Sequence, residues 1–531
     1  MRSAVRRVRS GPAPPPDRWN RYLAGVEPAL AAVPRVHRFA SPPIVGDPGI
    51  APAPLAVWVE GEGEAVTRTI RALESSTRPP VAVLTGSFEP AMQSTRVPHV
   101  ALVRAGDVLA PLALERLGQA VSLAPDAAIF TCDDDRLDSG GSRHRPHFRP
   151  GPSPDHWLAV DDCGPLIAVA RERALSPLPR VSDGGAWRHE LAIALAGWDG
   201  GGQAHIPLLL CHQAPDASEP ETLSAGELER QLKDHAPSAR VEEDGMVRRV
   251  RWGISGEPGV EVIVCLRDQP ELLERCASSL LHNTAYERLS LALVDNGSVE
   301  RETLELLARL EADPRVRVLR DAQPFNFAAL NNAAASSSQA DVLVFLNNDT
   351  EIADPDWVQT MLEEALRPQV GAVAPLLVYP DESVQHAGAA LGLHGFAGHP
   401  FAGLRATTVT PFGWAAGGTR NWLAVTAACM MVQRGKFLSV GGFDESFVVA
   451  GNDVDLCLRL TREGLRSLCI PHAVLIHDES RSRGSHIDPS DFVRSERSYG
   501  EFRTVGDPFY NPNLTLRSTR CEVRVPGEEV I

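Results

Sequence analysis

Apolar runs alternate with amphipathic stretches in the second half of the chain. Residues 260–266 (VEVIVCL) form an apolar, β-branched run of strand length, as expected for a strand buried on both faces. Apolar residues then recur at helical spacing from Leu272 to Leu280, which predicts a helix. Asp268 is expected to cap this helix, and Pro270 suits its first turn. Strands alternating with helices predict βαβ units around a mainly parallel sheet, so the fold class is α/β. Further strands are predicted at 289–294, 315–319, 341–346 and 370–374, and further helices near 300–311 and 326–337.

Segments rich in turn residues divide the chain. Pro, Gly and Arg dominate the beginning, and turn residues mixed with charges recur between the two halves. The sequence after Gly484 loses regular periodicity. The predicted organisation is an N-terminal Pro/Arg-rich segment at 1–54, a first domain at 55–212, a linker at 213–258, a second domain at 259–489 and a C-terminal tail at 490–531.

Composition narrows the class of protein. The 531 residues are 43% hydrophobic and 23% charged, which excludes wholesale disorder. The net charge of −16 makes the chain a poor partner for nucleic acid. The nine cysteines form no CxxC pair and lie mostly in apolar runs, as reduced core cysteines of a cytoplasmic protein do. Apolar runs are too short for a membrane-spanning helix, and the Arg-rich start lacks the apolar region of a secretory signal.

Polar residues follow three of the predicted strands. Asp268 comes after the first strand, Asp295 after the second and the triplet Asn347-Asn348-Asp349 after the strand at 341–346. In a parallel sheet ligands bind beyond the carboxyl ends of the strands, although each cluster alone is equally explained by helix capping. No P-loop and no GxGxxG follows a strand. A carboxylate in this position, such as Asp349, is suited to hold a hard cation that is shared with a diphosphate. The expected ligand is therefore a nucleotide that carries a leaving group.

Two further residues leave alternatives open. Asp453 begins a structured segment, where it serves either as a general base or as an acid that favours a helix N-terminus. His477 closes the apolar stretch AVLI, and a lone histidine after a strand is more often structural than a metal ligand.

Taken together, the motifs of the second domain resemble a family 2 glycosyltransferase of the GT-A fold. The tail motif DPFYNPNL (507–514) further resembles large bacterial members that build O-antigen, rhamnan-like or capsular polysaccharide. The motifs that carry the resemblance are, in order, VIVCLRD (262–268), LVDNGS (293–298), FNFAALNNAAASSSQADVLVFLNNDTEI (325–352), QHAGAALG (385–392), TAACMMVQRGKFLSVGGFDE (426–445), NDVDLCLRL (452–460) and HDESRSRG (477–484).

The resemblance implies a donor site and a metal site. It implies a divalent ion, Mn or Mg, and a UDP-, dTDP- or GDP-sugar donor. Asn347 stands where the first acid of the family's DXD motif is expected. The implied metal ligands are Asp349 and His477, and the implied donor contacts are Asp268, Asp295, Asn347 and Arg483.

The resemblance also implies a catalytic base and a reaction. Asp453 matches the base of the family's Glu-Asp motif, with Asn452 in place of the Glu, and Gln385 and His386 are expected on the acceptor side. The implied reaction is a single inverting displacement at the anomeric carbon, with a saccharide or lipid-linked acceptor. A lipid-linked acceptor would imply peripheral contact with the inner face of the cytoplasmic membrane.

The first domain is predicted to be a degenerate GT-A-like repeat of the second. HIPLLLCH (205–212) parallels CIPHAVLIH (469–477), and VALVRAGDVLAP (100–111) parallels VFLNNDTEIADP (344–355). In this alignment Arg188 stands where Asp453 stands, and an arginine cannot accept a proton near neutral pH. The acidic run 133–135 is expected to be a solvated loop rather than an ion-binding site. A non-catalytic sugar-binding or scaffold subunit of a polysaccharide assembly complex is the alternative to an enzyme.

Overall fold

The computed structural model describes residues 14–176, 185–197, 200–217, 221–244, 247–414, 417–478 and 489–528. The chain divides into two compact units. The first unit consists of the described residues within 1–250, 409–415 and 505–531, and the second of those within 251–408 and 416–504.

The described residues between 14 and 251 form short helices and twelve strands. The helices are α1 (Pro16–Arg21), continued by a π-helical turn at Tyr22–Val26, α2 (Glu27–Ala31), α3 (Glu64–Glu74), α4 (Phe88–Ser94), α5 (Ala113–Leu123), α6 (Pro154–Ala159), α7 (Arg171–Leu175), α8 (Trp187–Ala196) and α9 (Ala225–Leu232). The strands are β1 (Arg35–Arg38), β2 (Ile44–Val45), β3 (Leu55–Glu60), β4 (Ala82–Leu84), β5 (His99–Arg104), β6 (Val108–Leu109), β7 (Ile129–Leu137), β8 (Arg143–His147), β9 (Ile167–Ala170), β10 (Gln203–Gln213), β11 (Arg240–Asp244) and β12 (Val247–Arg251).

Longer helices appear in the rest of the chain. They are α10 (Pro270–Asn283), α11 (Arg301–Leu310), α12 (Phe327–Ser337), α13 (Trp357–Ala365), α14 (Arg434–Ser439), α15 (Asn452–Arg462) and α16 (Pro489–Val505), with a 3₁₀ turn at Leu393–Gly395. The strands are β13 (Val260–Leu266), β14 (Leu289–Asp295), β15 (Val316–Arg320), β16 (Val342–Asn347), β17 (Thr350–Ile352), β18 (Val370–Val378), β19 (Val384–His386), β20 (Ala390–Leu391), β21 (Ala397–Gly398), β22 (Val409–Thr410), β23 (Gly413–Trp414), β24 (Arg420–Trp422), β25 (Cys429–Gln433) and β26 (Arg466–His477).

Each unit is built on one large mixed sheet. The order is β2-β1-β10-β7-β9-β5-β3-β4 in the first unit and β15-β14-β13-β16-β25-β18-β26-β17 in the second. In the second unit β13 runs parallel to β14 and β16, and β18 runs parallel to β26. β25 is antiparallel to both of its neighbours. The predicted α/β class with a mainly parallel sheet is confirmed.

The two sheets repeat one topology. The path β4-β3-β5-β9-β7-β10 corresponds strand by strand to β14-β13-β16-β25-β18-β26. The single antiparallel strand, β9 or β25, lies at the same place in both. The short strand β6 pairs with β10 as β17 pairs with β26. The second residue of α8 is Arg188 and that of α15 is Asp453, so the topology agrees with the alignment of the two halves.

Apolar side chains hold the second sheet against its helices. Val262, Val264 and Leu293 on the strands are almost fully buried, as are Leu273 and Met361 on the helices. A sheet covered on both faces requires continuous apolar strands, which explains why the sequence pattern located them.

The segments predicted as linker and tail contain regular structure. Residues 213–258 include α9, which begins with a reciprocal capping box between Ser224 and Glu227, and the β11–β12 hairpin. Residues 490–531 include most of α16. Farther on, Asn511 and Asn513 donate hydrogen bonds to the fully buried carboxylate of Asp133.

Candidate functional site

The carboxyl ends of β16 and β26 bring two predicted metal ligands together. Asp349 lies in the turn after β16, and His477 is the last residue of β26. Antiparallel pairing of β17 with β26 sets Thr350 opposite His477, so the neighbouring Asp349 faces the imidazole. His477 Nε2 donates to Asp349 Oδ1 across 3.1 Å, and both side chains are buried. The amide nitrogen of Asn347 lies 3.4 Å from the same Nε2.

This pair fits two neighbouring ligands of one divalent ion. Ligands at right angles around an ion with bonds of about 2.1 Å lie about 3 Å apart, close to the distance observed between Asp349 and His477. Among the described residues no group of three or more His, Cys, Asp or Glu side chains is arranged to hold a metal. Asp349 and His477 would therefore supply part of the shell, as in sites that share the ion with a phosphorylated substrate.

Asp453 is hydrogen-bonded to the loop that precedes β25, the strand beside β16. It occupies the first turn of α15 and is partly buried. Its Oδ2 accepts from the backbone N–H of Ala427 at 3.1 Å, and its Oδ1 accepts from the N–H of Val454 at 2.9 Å. The next carbonyl, of Ala428, accepts from the N–H of Asn347 at 3.0 Å. The loop before β25 thus connects the predicted base with the end of the strand that leads to Asp349.

A buried carboxylate holds the loop that leads into α15. Asp491 accepts from the N–H groups of Val448, Val449 and Ala450 at 2.8–2.9 Å. Gly451 then adopts a left-handed conformation with φ of +88° as the residue before α15. These contacts fix where the helix begins, and therefore where Asp453 points.

The carboxylates of the two predicted nucleoside contacts, Asp268 and Asp295, already accept hydrogen bonds from neighbouring residues of the protein. Asp295 is buried, and its carboxylate accepts from the Ser298 N–H at 2.9 Å and from Arg320 at 2.8 Å. Asp268 does not cap α10, which corrects the sequence expectation. Its Oδ1 instead accepts from the N–H groups of Val299 and Glu300, both at 2.8 Å, before α11. These bonds, led by the one from Glu300, hold the pKa of Asp268 below its usual value.

The residues expected on the acceptor side are buried. Gln385 and His386 lie on β19, with exposed fractions of 4% and 0%. His386 Nδ1 lies 2.8 Å from His399 Nδ1, and its Nε2 accepts from the Thr426 N–H at 3.4 Å. Burial, and then the neighbouring His399 and His477, hold the pKa of His386 well below its usual value. His386 thus supports the loop that carries Ala427. The predicted diphosphate contact, Arg483, lies outside the described residues.

Sequence reasoning missed several groups that shape the site. The backbone N–H of Ala427 carries no side-chain signal, and Asp491 lies outside every motif that was singled out. His399 follows Gly398 in a turn-rich stretch without helical or strand periodicity. No pattern of spacing predicts such long-range partners, because only the tertiary fold brings them together.

The acidic run of the first unit is not a solvated loop, which corrects the sequence expectation. Asp133, Asp134 and Asp135 lie on β7 and are buried. Asp134 forms an ion pair with Arg149, and Asp135 lies 2.6 Å from His212 Nδ1. The carboxylates are therefore structural partners of basic side chains.

The second unit thus combines a mainly parallel α/β sheet with an acid–histidine pair and a further carboxylate near its carboxyl edge. The glycosyl transferase family 2 model matches residues 261–416. The chain is 32% identical over 123 residues to an N-acetylglucosaminyltransferase of Bradyrhizobium elkanii, covering 23% of this chain and 67% of that protein. The chain belongs to glycosyl transferase family 2.

The chain is also similar to an O-antigen biosynthesis protein and to a rhamnosyltransferase. It is 39% identical to the O-antigen biosynthesis protein RfbC of Myxococcus xanthus over 449 residues, covering 81% of this chain and 35% of that protein. It is 29% identical to the N-acetylglucosaminyl-diphospho-decaprenol L-rhamnosyltransferase of Mycobacterium tuberculosis (strain ATCC 25618 / H37Rv) over 242 residues, covering 40% of this chain and 73% of that protein. The chain thus spans about a third of the length of the Myxococcus relative. In the described part of the chain, no helix combines the length and apolarity needed to cross a membrane.

Proposed function

We propose that this chain is a metal-dependent inverting glycosyltransferase that moves a sugar from a nucleotide-sugar donor to a hydroxyl of a growing cell-surface polysaccharide or glycolipid. The observation that carries the proposal is the buried pair of Asp349 and His477, 3.1 Å apart at the carboxyl edge of the sheet. The names of the RfbC and rhamnosyltransferase relatives support a polysaccharide or lipid-linked acceptor.

The donor would bind along the carboxyl ends of β13, β14 and β16. Asp268 Oδ2 makes no hydrogen bond to any described residue and remains available to the nucleoside. Asp295 is held rigidly by Ser298 and Arg320. Asp349 and His477 would hold a divalent cation, which would neutralise negative charge on the departing diphosphate. Arg483 remains a predicted diphosphate contact.

The acceptor proton would pass to Asp453. Each carboxylate oxygen already accepts one backbone N–H, from Ala427 or Val454, and keeps a lone pair for the proton. The acceptor oxygen attacks the anomeric carbon as its proton moves to Asp453, and the bond from that carbon to the nucleoside diphosphate breaks. A single displacement of this kind inverts the anomeric centre.

We assign the chemistry to the second unit. Arg188 occupies in α8 the place that Asp453 occupies in α15, and a guanidinium cannot serve as a general base near neutral pH. Arg104 is the last residue of β5, and Asn347 is the last residue of the corresponding strand β16. The first unit therefore retains the topology without the proposed base.

Donor binding and catalysis are tested separately. A thermal-shift panel with manganese and UDP, GDP, dTDP or CDP should give a shift with one nucleotide, since a ligand at 100 times its Kd adds about 2.7 kcal/mol of stability. The manganese-dependent part of the shift should disappear in Asp349→Ala and persist in Asp453→Asn. The matched control is Asp356→Asn, an exposed acid whose side chain makes no capping hydrogen bond to α13.

Transfer is then measured with the sugar nucleotide that the panel identifies. Loss of a general base should lower kcat by about 10²–10⁴ in Asp453→Asn. The anomeric coupling constant of the product reports inversion. Full transfer activity in Asp453→Asn would refute the assigned base. Absence of any nucleotide shift would instead favour the non-catalytic scaffold.

A further inference from the structure

A cavity of about 590 Å³ lies in the first unit, on the edge of its sheet where parallel strands end. Glu60 and Arg104 on its wall are the last residues of β3 and β5, and Gln213 is the last residue of β10. The first turn of α8 contributes Arg188. Because the two sheets share one topology, this cavity occupies the position that corresponds to the proposed donor site of the second unit.

The carboxylates on the wall already have basic or backbone partners. Asp134 and Asp162 pair with Arg149, and Asp161 pairs with Arg248. In addition, Glu60 accepts from Arg188 Nε at 2.8 Å, and Glu221 accepts from the N–H of Gly185 at 3.2 Å. Four of the five acidic side chains on the wall are therefore paired with an arginine, and only the exposed Glu221 has a backbone partner alone.

Three arginines on the wall can still donate hydrogen bonds to a ligand. Arg104 and the exposed Arg145 form no ion pair with any residue that the structure describes. Arg188 has an exposed fraction of 6%, and its Nη2 is buried without a hydrogen-bond partner among the described residues. An unpartnered buried guanidinium nitrogen costs free energy unless a ligand satisfies it.

Arg104 and Arg188 also act on each other. The pKa of Arg188 is lowered by burial first, while Glu60 raises it and the like charge of Arg104 lowers it further. Two neighbouring guanidinium groups are stabilised when an anion binds between them. The planar guanidinium matches the oxygens of a phosphate group with paired hydrogen bonds.

We propose that this cavity binds the diphosphate of a sugar-diphosphate ester, with guanidinium groups in place of a divalent cation. Arg104 and Arg188 would contact the phosphate oxygens. The volume exceeds what an inorganic phosphate needs and lies in the usual range of small-molecule sites, which leaves room for the sugar or the group beyond it. The ester is either a nucleotide sugar or a lipid-linked sugar diphosphate, both of which present the same two phosphates.

The test is calorimetric titration of the full chain in EDTA, with inorganic pyrophosphate, UDP-glucose and farnesyl diphosphate as three separate probes. EDTA distinguishes this site from the proposed donor site, which needs a divalent ion. We expect at least one probe to bind without metal, and the affinity to fall at least tenfold in Arg104→Gln and in Arg188→Gln, because each loses a charged hydrogen-bond donor to phosphate.

Two control variants leave the cavity intact. Arg68→Gln removes an exposed arginine of α3 that does not line the cavity, and Asp349→Ala disables the proposed donor site. Both should bind as the parent chain does. Arg104→Gln breaks no ion pair with a described residue, so its melting temperature should match that of the parent even if Arg188→Gln is destabilised.

Binding of farnesyl diphosphate but not UDP-glucose would identify the lipid-linked source, and the reverse would identify the nucleotide. Either result supports the proposal if Arg104→Gln weakens the binding of that probe. The proposal is overturned if none of the three probes binds in EDTA, or if binding is unchanged in both arginine variants.

Discussion

Replacement of Asp491 by alanine should loosen the entrance to α15 and slow transfer without weakening donor binding. Its carboxylate has an exposed fraction of 1% and accepts from the backbone N–H groups of Val448, Val449 and Ala450. Removing it leaves three donors without their charged acceptor. Each such loss costs about 1–3 kcal/mol when the donor is fully buried. Because these residues are only partly buried, water replaces part of the bonding, and we expect a local loss of about 2–4 kcal/mol.

Hydrogen exchange measures this loss directly. Local opening free energy sets amide protection, and every 1.4 kcal/mol corresponds to about a factor of ten, so protection at residues 448–450 should fall by about thirtyfold to several hundredfold. Protection of the strands β13 and β16 should be unchanged. Asp356→Ala is the control, since that exposed side chain makes no capping hydrogen bond to α13.

The functional consequence follows from the position of Asp453 two residues after Gly451. A less fixed helix start places the base correctly for a smaller fraction of the time, so kcat should fall while the nucleotide-induced thermal shift stays the same. A loss of protection at 448–450 of less than about threefold would contradict a structural role for Asp491. An unchanged kcat despite the predicted loss of protection would contradict its role in positioning Asp453.

Three further predictions concern backbone strain, a buried amide and the cysteines. Gly451→Ala should lower the local stability measured by hydrogen exchange by about 1–2 kcal/mol, because φ is +88° and the new Cβ would lie 2.8 Å from Ser495 Oγ. The control Gly435→Ala should be neutral, since the new Cβ would lie in open space. Asn511→Ala removes a buried hydrogen bond to a carboxylate and should destabilise the first unit by about 1.5–3 kcal/mol in urea unfolding, whereas an effect below about 0.5 kcal/mol would contradict a structural role for that segment. Burial raises the pKa of the Cys457 thiol to about 12 from a usual value of 9.0, so the associated stability is present below pH 9 and is lost as the pH rises towards 12. In reductant, the urea midpoint should fall between pH 9 and 11, and it should fall less steeply in Cys457→Ala; equal slopes would contradict this assignment.

The strands were predictable because burial on both faces requires continuous apolar runs. The strand predicted at 260–266 is β13 with the same limits, and the one predicted at 289–294 differs from β14 by one residue. The repeat between the halves was also visible, since an Ile-Pro step before an apolar strand recurs in β10 and β26. Local patterns of this kind report directly on which residues must be buried.

Hydrogen-bond partners were not predictable in the same way. An aspartate after a strand looks like a cap for the next helix, yet Asp268 accepts from residues 299 and 300 beyond the neighbouring strand. Three consecutive acids look solvated, yet Asp133 is fully buried beneath Asn511, far along the chain. A single sequence shows that a carboxylate is present and does not show which distant donor reaches it.

The sequence by itself determined the α/β class, the order of the strands along the chain and the family resemblance, because these depend on local periodicity and on short motifs. The tertiary structure alone decided which side chains meet. Pairing of β17 with β26 places Asp349 against His477. In the first unit, the start of α8 places Arg188, with one nitrogen that has no partner among the described residues, at the wall of a cavity. In the second unit, the corresponding position at the start of α15 is Asp453. Charge and distance at a sheet edge arise from residues far apart in the chain, so their chemistry becomes definite only when the sheet has formed.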